Sequence, residues 1–433
     1  MLDLDLATGR AMHDFIRDLF PICRSLTGNG TRETLARIRD HLPELTVHEV
    51  PSGTRVFDWE VPDEWNIRKA YIKDPDGRTV VDFADNNLHV LGYSEPFQGR
   101  LDLEELQSHL YSREDLPEAI PYVTSYYKRR WGFCLSHNQR QSLKPGQYEV
   151  LIDADLKPGH MTYGELLLPG RSEKEVFLST YVCHPSMANN ELSGPAVATW
   201  LAKWIASAPR EYSYRIVFIP ETIGSITYIS RHLDELRSRV IAGYNISCVG
   251  DDRCFSYLPS RAGDTLSDRA ARHVLHHGVG DYVSYSYLDR GSDERQYCSP
   301  GVDLPVACIL RSKYGEYPEY HTSLDDLELV TPAGLAGAYA AFRRSLELIE
   351  NNGFWQATTP CEPQLGKRGL YPTISTARGA NSVRNIMNVL SYADGTRDLI
   401  DLADTIGENA FDCLTIIARL EEHGLLRRID RDG

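Results

Sequence analysis

Residues 176–206, VFLSTYVCHPSMANNELSGPAVATWLAKWIA, decide how this chain folds. The run 176–183 is apolar or small almost throughout, as expected of a strand covered on both faces. A polar turn follows, and 195–206 then carries Trp200, Leu201 and Trp204 at helical spacing. A buried strand that enters a helix through a short turn is the repeating unit of a parallel sheet flanked by helices. The pattern recurs downstream, with strands expected at 215–219, 240–249 and 306–310 and helices at 225–236, 266–276 and 332–349. The fold class is therefore α/β with a mainly parallel sheet.

Upstream, 9–41 has apolar residues at helical spacing on either side of the break SLTGNG (25–30). Residues 47–72 are rich in Val, Trp and Tyr, the DPDG at 74–77 is a turn, and 83–143 holds no long helical pattern. The expected organisation is a catalytic domain of 1–50 and 141–355, a β-rich inserted domain of 51–140, a linker of 356–375 and a tail of 376–433. In the tail, helical stretches at 383–392, 396–405 and 410–423 followed by a short strand suggest a winged helix-turn-helix.

With 433 residues, 42% hydrophobic and 25% charged, the chain is globular rather than disordered. A net charge of -15 opposes broad binding to nucleic acid or an anionic membrane, both of which need a positive field. The tail from 381 on has ten acids and six bases, so a protein-contact role is expected there in place of DNA binding. Nine cysteines without a CxxC pair suit reduced thiols rather than disulfides or a thiolate zinc site. The expected location is the cytoplasm, because the start of the chain carries no export pattern and no apolar run reaches bilayer length. The expected partner is a small-molecule or peptide-like substrate, with homo-oligomerisation left open.

Ligands in parallel α/β sheets bind beyond the carboxyl ends of the strands. Four successive strand ends carry suitable groups: His184 and Glu191, then Glu221, then Asp251 and Asp252, then Arg311 and the loop to His321. Each has an ordinary structural explanation, such as capping the next helix, but their coincidence at one edge points to a metal hydrolase. Catalytic zinc takes three His or carboxylate ligands and leaves one position open. His184, Glu191 and His321 would form that set, with Glu221 as the general base. Arg311, Tyr314 or Tyr317 would stabilise the oxyanion.

The strand-HP turn, NELSGP, the ET-I-G segment and YHTSLDD resemble the motifs of M28 zinc aminopeptidases. Over essentially its whole length the chain is similar to a bacterial aminopeptidase-like family associated with polysaccharide or natural-product biosynthesis, through RSLTGNGTRETL, CHPSMANNELSG, GSDERQYCSPG and YHTSLDDLELV. That resemblance implies a zinc-peptidase fold with an inserted β domain and a winged helix. Asn190, Thr222 and Asn245 stand where M28 enzymes carry carboxylates, so one zinc per chain is expected. The resemblance also places Asp293, Glu294 and Arg295 in the substrate pocket, where a solvated charge run is the alternative. Arg261 would contact substrate or form an ion pair. The expected activity is hydrolysis of an amide in a small aminoacyl or peptide-like substrate. A deacylase or acyl-transfer enzyme and a metal-free binding protein are the alternatives.

Overall fold

The computed structural model describes residues 2–126, 128–370 and 377–430. It forms two compact units. One comprises Leu2–Thr265 and Tyr282–Ala340, and the other Leu266–Asp281 with the chain from Ala341 onward.

The first unit is built on an eight-stranded sheet in the order Thr46–Pro51, His160–Leu168, Tyr212–Ile219, Ser172–Tyr181, Val240–Asn245, Val306–Leu310, Ser256–Leu258, Val283–Ser284. The four strands Tyr212–Ile219, Ser172–Tyr181, Val240–Asn245 and Val306–Leu310 are parallel to one another, and these are the four expected from the sequence. Their Val, Ile, Leu and Phe side chains are buried apart from the half-buried Ile241, as central parallel strands require. Helices Leu6–Leu19, Asn29–His41, Ser193–Ala206 and Ile223–Arg239 belong to this unit.

The turn after Ser172–Tyr181 is tightly packed. Ala188–Leu192 forms a single π-helical turn, entirely buried, before the α-helix starts at Ser193. Gly194 is required there, since a Cβ would lie 2.3 Å from the Ile246 carbonyl oxygen and 2.4 Å from Thr180 Oγ1. The helix consequently lies almost directly on the sheet, and everything between His184 and Ser193 is held at the sheet edge.

Strands Thr79–Asp82, Glu64–Lys73, Gln147–Lys157 and Phe97–Asp102 form a separate four-stranded antiparallel sheet. Because Gln147–Lys157 pairs along its whole length with Glu64–Lys73, the inserted sheet extends past residue 140.

In the second unit, Asp394–Asp398, Phe354–Ala357 and Leu426–Ile429 make an antiparallel three-stranded sheet with helices Ala377–Tyr392, Leu399–Ile406 and Ala410–Glu422. Phe354–Ala357 is its central strand with Trp355 buried, so the start of the expected linker is structured. Residues 371–375 of that linker lie outside the described residues. Helix Leu266–Gly278 belongs to this unit, where Arg269 pairs with Asp398 and Asp401. All nine cysteines are free thiols, and no helix among the described residues is long and apolar enough to cross a membrane.

Candidate active site

Tyr181 and Ile219 pair at the ends of two adjacent parallel strands, so His184 and Glu221 leave the sheet side by side. His184 is buried, and its two ring nitrogens face different partners. Nδ1 lies 2.8 Å from Glu191 Oε2, and Nε2 lies 3.6 Å from Glu221 Oε2. The His184 carbonyl accepts from Arg24 Nε at 2.9 Å, and the same Nε is 3.6 Å from Glu191 Oε1. Glu191 thus fills the space between the imidazole and a buried guanidinium.

Glu191 stands on the Nδ1 side of His184, with its Oε1 unpartnered among the described residues. An ion on His184 Nε2 lies on the side of the ring away from Glu191, and an ion on the Nδ1 side would sit against the Arg24 cation. Glu191 is therefore placed to orient His184 and fix its tautomer, the usual task of a carboxylate behind a ligand histidine. Cys183 Sγ is 3.5 Å from Nδ1 and accepts the Glu221 N–H at 3.3 Å, while burial pushes its thiol up to about 11. Burial also opposes charge on the His184 ring. The Cys183 sulfur and the Glu191 carboxylate outweigh it and hold the imidazole well above its usual value.

His321 sits 5.5 Å from His184, ring centroid to ring centroid. Its Nε2 is buried with no hydrogen-bond partner among the described residues, and burial beside His184 pushes its pKa down to about 3. A neutral imidazole with an unpartnered inward nitrogen is suited to ligate a metal. Its backbone is strained, with φ of 55° in a residue other than glycine.

Glu221 is held by a second strained element. Thr222 has φ 64° and ψ -76°, and Ile223 N–H donates to the Glu221 carbonyl at 2.8 Å, which is the rare γ-turn of positive φ. Asp293 Oδ1 accepts from Thr222 N–H at 2.7 Å and from Ser225 Oγ at 2.8 Å, pinning that turn. Ser292 Oγ donates to Glu221 Oε1 at 2.8 Å, which leaves Oε2 toward His184. Burial raises the Glu221 carboxyl, partly offset by His184, Ser292 and Arg295. Strain of this kind persists where the surroundings over-determine it, and here it aims a carboxylate.

The remaining expected residues divide clearly. Glu294 is fully buried and accepts from Gly291 N–H, Ser292 N–H, Tyr314 Oη and Asn245 Nδ2, so it organises the loop beneath Glu221. Asp293 is buried behind the turn. Arg295 anchors the same loop through the Ser292 carbonyl and Thr222 Oγ1. None of the three is a solvated charge run. Tyr314 donates to Glu294, and Tyr317 donates to Asp325 Oδ2 at 2.9 Å, so neither hydroxyl is turned to an oxyanion. Arg311 stacks on Phe255 at 4.0 Å, and Arg261 forms an exposed ion pair with Asp303. Asp251 receives Asn189 Nδ2, Ser312 N–H and Ser312 Oγ, which makes it a turn organiser.

Sequence reasoning passed over several residues. Arg24 belongs to the RSLTG segment, whose only local signal is the break between two helices. Asp325, in YHTSLDD, accepts Asn189 N–H at 2.5 Å and Asn190 N–H at 2.9 Å, fixing the π-helical turn. Tyr320 stacks on His321 at 3.9 Å, and its hydroxyl makes no hydrogen bond among the described residues. Tyr122, from the segment before strand Phe133–Cys134, contacts both histidines.

The donor set accommodates a cation. Among the described residues Asn190 Oδ1, Glu191 Oε1, Asp293 Oδ2 and His321 Nε2 are buried acceptors without a donor, and Cys183, His184 and Glu191 offer ligand atoms within 4.8 Å of one another. Another group of metal-type side chains, His273, His277 and Asp404, does not offer such a site. His273 Nδ1 is 2.6 Å from Asp404 and Nε2 accepts Ala410 N–H at 2.9 Å, so both nitrogens are occupied.

Residues 13–352 match the family model described as a domain of unknown function, DUF4910, and residues 353–428 match a winged helix-turn-helix model. A Clostridium acetobutylicum protein named for polysaccharide biosynthesis and an aminopeptidase-like domain is 45% identical over 398 residues, 92% of this chain and 91% of the relative. A crystal structure from the same organism, described as a candidate peptidase, has a TM-score of 0.93 at 42% identity over 98% of this chain and 97% of that one. The zinc aminopeptidase BSAP of Bacillus subtilis has a TM-score of 0.58 at 13% identity, over 81% and 95%. A Shewanella amazonensis M28 peptidase precursor has 0.57 at 14%, over 83% and 96%. At such identity the likeness is one of fold, and the fold is that of M28 peptidases.

Proposed function

Because the chain belongs to the DUF4910 family and has an M28 peptidase fold with a winged-helix end, we propose that it is a zinc-dependent amide hydrolase acting on a small aminoacyl or peptide-like substrate. The observations that carry this reading are Glu221 Oε2 at 3.6 Å from His184 Nε2 and the His321 ring, whose buried Nε2 has no partner among the described residues, 5.5 Å from the His184 ring. His184 and His321 would supply two of the protein ligands to one zinc per chain. When bound, zinc supplies a Lewis acid for the scissile carbonyl and makes water acidic enough to deprotonate near neutral pH.

The chain's own groups then divide the work. Glu221 Oε2 takes the proton of the attacking water and returns it to the leaving amine, and its raised pKa suits both steps. Ser292 keeps the other oxygen of Glu221 occupied, so the proton is handled on the side facing His184. Tyr320 Oη is the donor for the developing oxyanion, in place of Tyr314 and Tyr317. Arg24 holds the His184 carbonyl and Glu191 holds the ring at Nδ1, which keeps Nε2 turned toward Glu221.

The name of the C. acetobutylicum relative supports a second reading of the same site, deacylation of an acylated amino-sugar intermediate in polysaccharide biosynthesis. A panel of aminoacyl and acylated amino-sugar substrates separates the two readings. Metal analysis of the purified protein tests the site itself. About one zinc per chain is expected, lost in His184→Ala and His321→Ala and kept in Glu221→Gln with activity reduced roughly 10²- to 10⁴-fold. Negligible zinc after reconstitution of the unaltered protein would sink the proposal.

A further inference from the structure

The two proposed ligand histidines lie about 140 residues apart in sequence, and a third ring stands between them that belongs to neither strand end. Tyr122 has its ring centroid 5.3 Å from His184 and 5.1 Å from His321, edge-on to both, and the two histidines are 5.5 Å apart. The three rings form a nearly equilateral triangle. Tyr122 sits in the segment before strand Phe133–Cys134, which the M28 motifs do not include.

The same segment is tied to the His321 loop by main-chain bonds. Tyr122 N–H donates to the His321 carbonyl at 2.8 Å, and Ser323 N–H donates to the Ile120 carbonyl at 2.9 Å. Ile120 N–H in turn donates to Ser323 Oγ at 3.0 Å, and Pro121 bridges Thr322. This short antiparallel zipper brackets His321, whose left-handed backbone is costly for a residue with a side chain. Without it, the loop would relax toward ordinary φ and carry Nε2 away from His184. On its far side the Tyr122 hydroxyl meets Tyr126 Oη at 2.5 Å, which fixes the ring in rotation as well as position.

We propose that Tyr122 is a positioning residue through which the 120–122 segment sets the spacing of His184 and His321. This rests on the assignment of those histidines as zinc ligands. Groups behind a ligand typically contribute roughly 10- to 100-fold to metal affinity, and Tyr122 is expected to act in that range.

The test is cobalt(II) binding to the full chain by competition with a chelator, together with the visible spectrum of the bound ion, which reports ligand geometry without substrate. Tyr122→Ala is expected to weaken binding roughly 10- to 100-fold and alter the bands, and Tyr122→Phe, which keeps the ring, to restore both. Ser323→Ala removes one zipper acceptor without touching either histidine or the core. It is expected to move affinity the same way by less, and it keeps the question answerable if Tyr122→Ala does not fold. If His321→Ala abolishes cobalt binding while folded Tyr122→Ala and Ser323→Ala bind as the unaltered protein does, the positioning role is overturned and the site stands. If His321→Ala binds cobalt unchanged, the ligand assignment fails and this inference falls with it.

Discussion

Removing Glu191 discriminates sharply between its two possible tasks. Its side chain and that of Arg24 are both 0% exposed, with Arg24 Nε 3.6 Å from Oε1 and His184 Nδ1 2.8 Å from Oε2. In Glu191→Ala the Arg24 cation is left in the interior without its counter-charge, and His184 loses the acceptor that selects its tautomer. Breaking a buried pair on one side costs about 3–5 kcal/mol, because the partner keeps its desolvation penalty and loses its compensation. With an m-value of about 3 kcal/mol per molar urea, the unfolding midpoint should fall by roughly 1–2 M. The assay is urea unfolding of chelator-treated protein. The penalty is expected in full without metal, because it arises from Arg24 and not from an ion. The double variant Arg24→Met with Glu191→Leu should recover most of the loss, since an apolar pair of similar volume carries no stranded charge. If Glu191→Ala unfolds at the unaltered midpoint in chelator and differs only once zinc is added, Glu191 is a ligand and the orientation argument is wrong.

Tyr320→Phe should keep zinc content while lowering kcat/KM roughly 10²-fold, the scale for losing one oxyanion donor; unchanged steady-state kinetics on a cleaved substrate would exclude that role. Arg32 hydrogen bonds hold Glu64 at about 2, below its usual 4.5, with His160 N–H adding to the effect. The unfolded chain takes up the proton first as pH falls, so this pair stabilises above about pH 4.5 and the increment drains away toward pH 2. Glu64→Gln should therefore be less stable than the unaltered protein at pH 6 in thermal melts, with the gap narrowing from about pH 5 downward; a gap constant with pH would refute the pairing. The winged-helix tail, with its acidic balance, should produce no salt-sensitive mobility shift of duplex DNA. Tight binding that weakens steeply with added salt would overturn that expectation.

Much of the architecture was legible along the chain because its signals are local. Periodicity found the four parallel strands and the helices between them, and 306–310 has the same limits in the structure. It missed the wing strand Phe354–Ala357, since four residues flanked by Pro and Gly look like a linker until their pairing partners, more than 35 residues away, are in place. The inserted sheet was underestimated for the same reason, its last strand being recognisable only by pairing with Glu64–Lys73.

For the candidate site, the sequence by itself determined which residues stand at one edge of the sheet. Strands in parallel register end together, so His184 and Glu221 are neighbours once Tyr181 pairs with Ile219. It could not determine which way each side chain turns. Glu191, one turn of chain from His184, reads as a co-ligand until Arg24, 160 residues from the His184 carbonyl it binds, is found behind it. Tyr314 and Tyr317 read as free hydroxyls until Glu294 and Asp325 are seen to accept from them, whereas Tyr320, the one left open, carries no local mark. Tyr122 comes from a segment outside the strand-end pattern altogether. Strand ends follow from the short-range period of the backbone, but the facing of a buried charge is decided by whichever distant group offsets its desolvation, and only the tertiary structure brings that group into place.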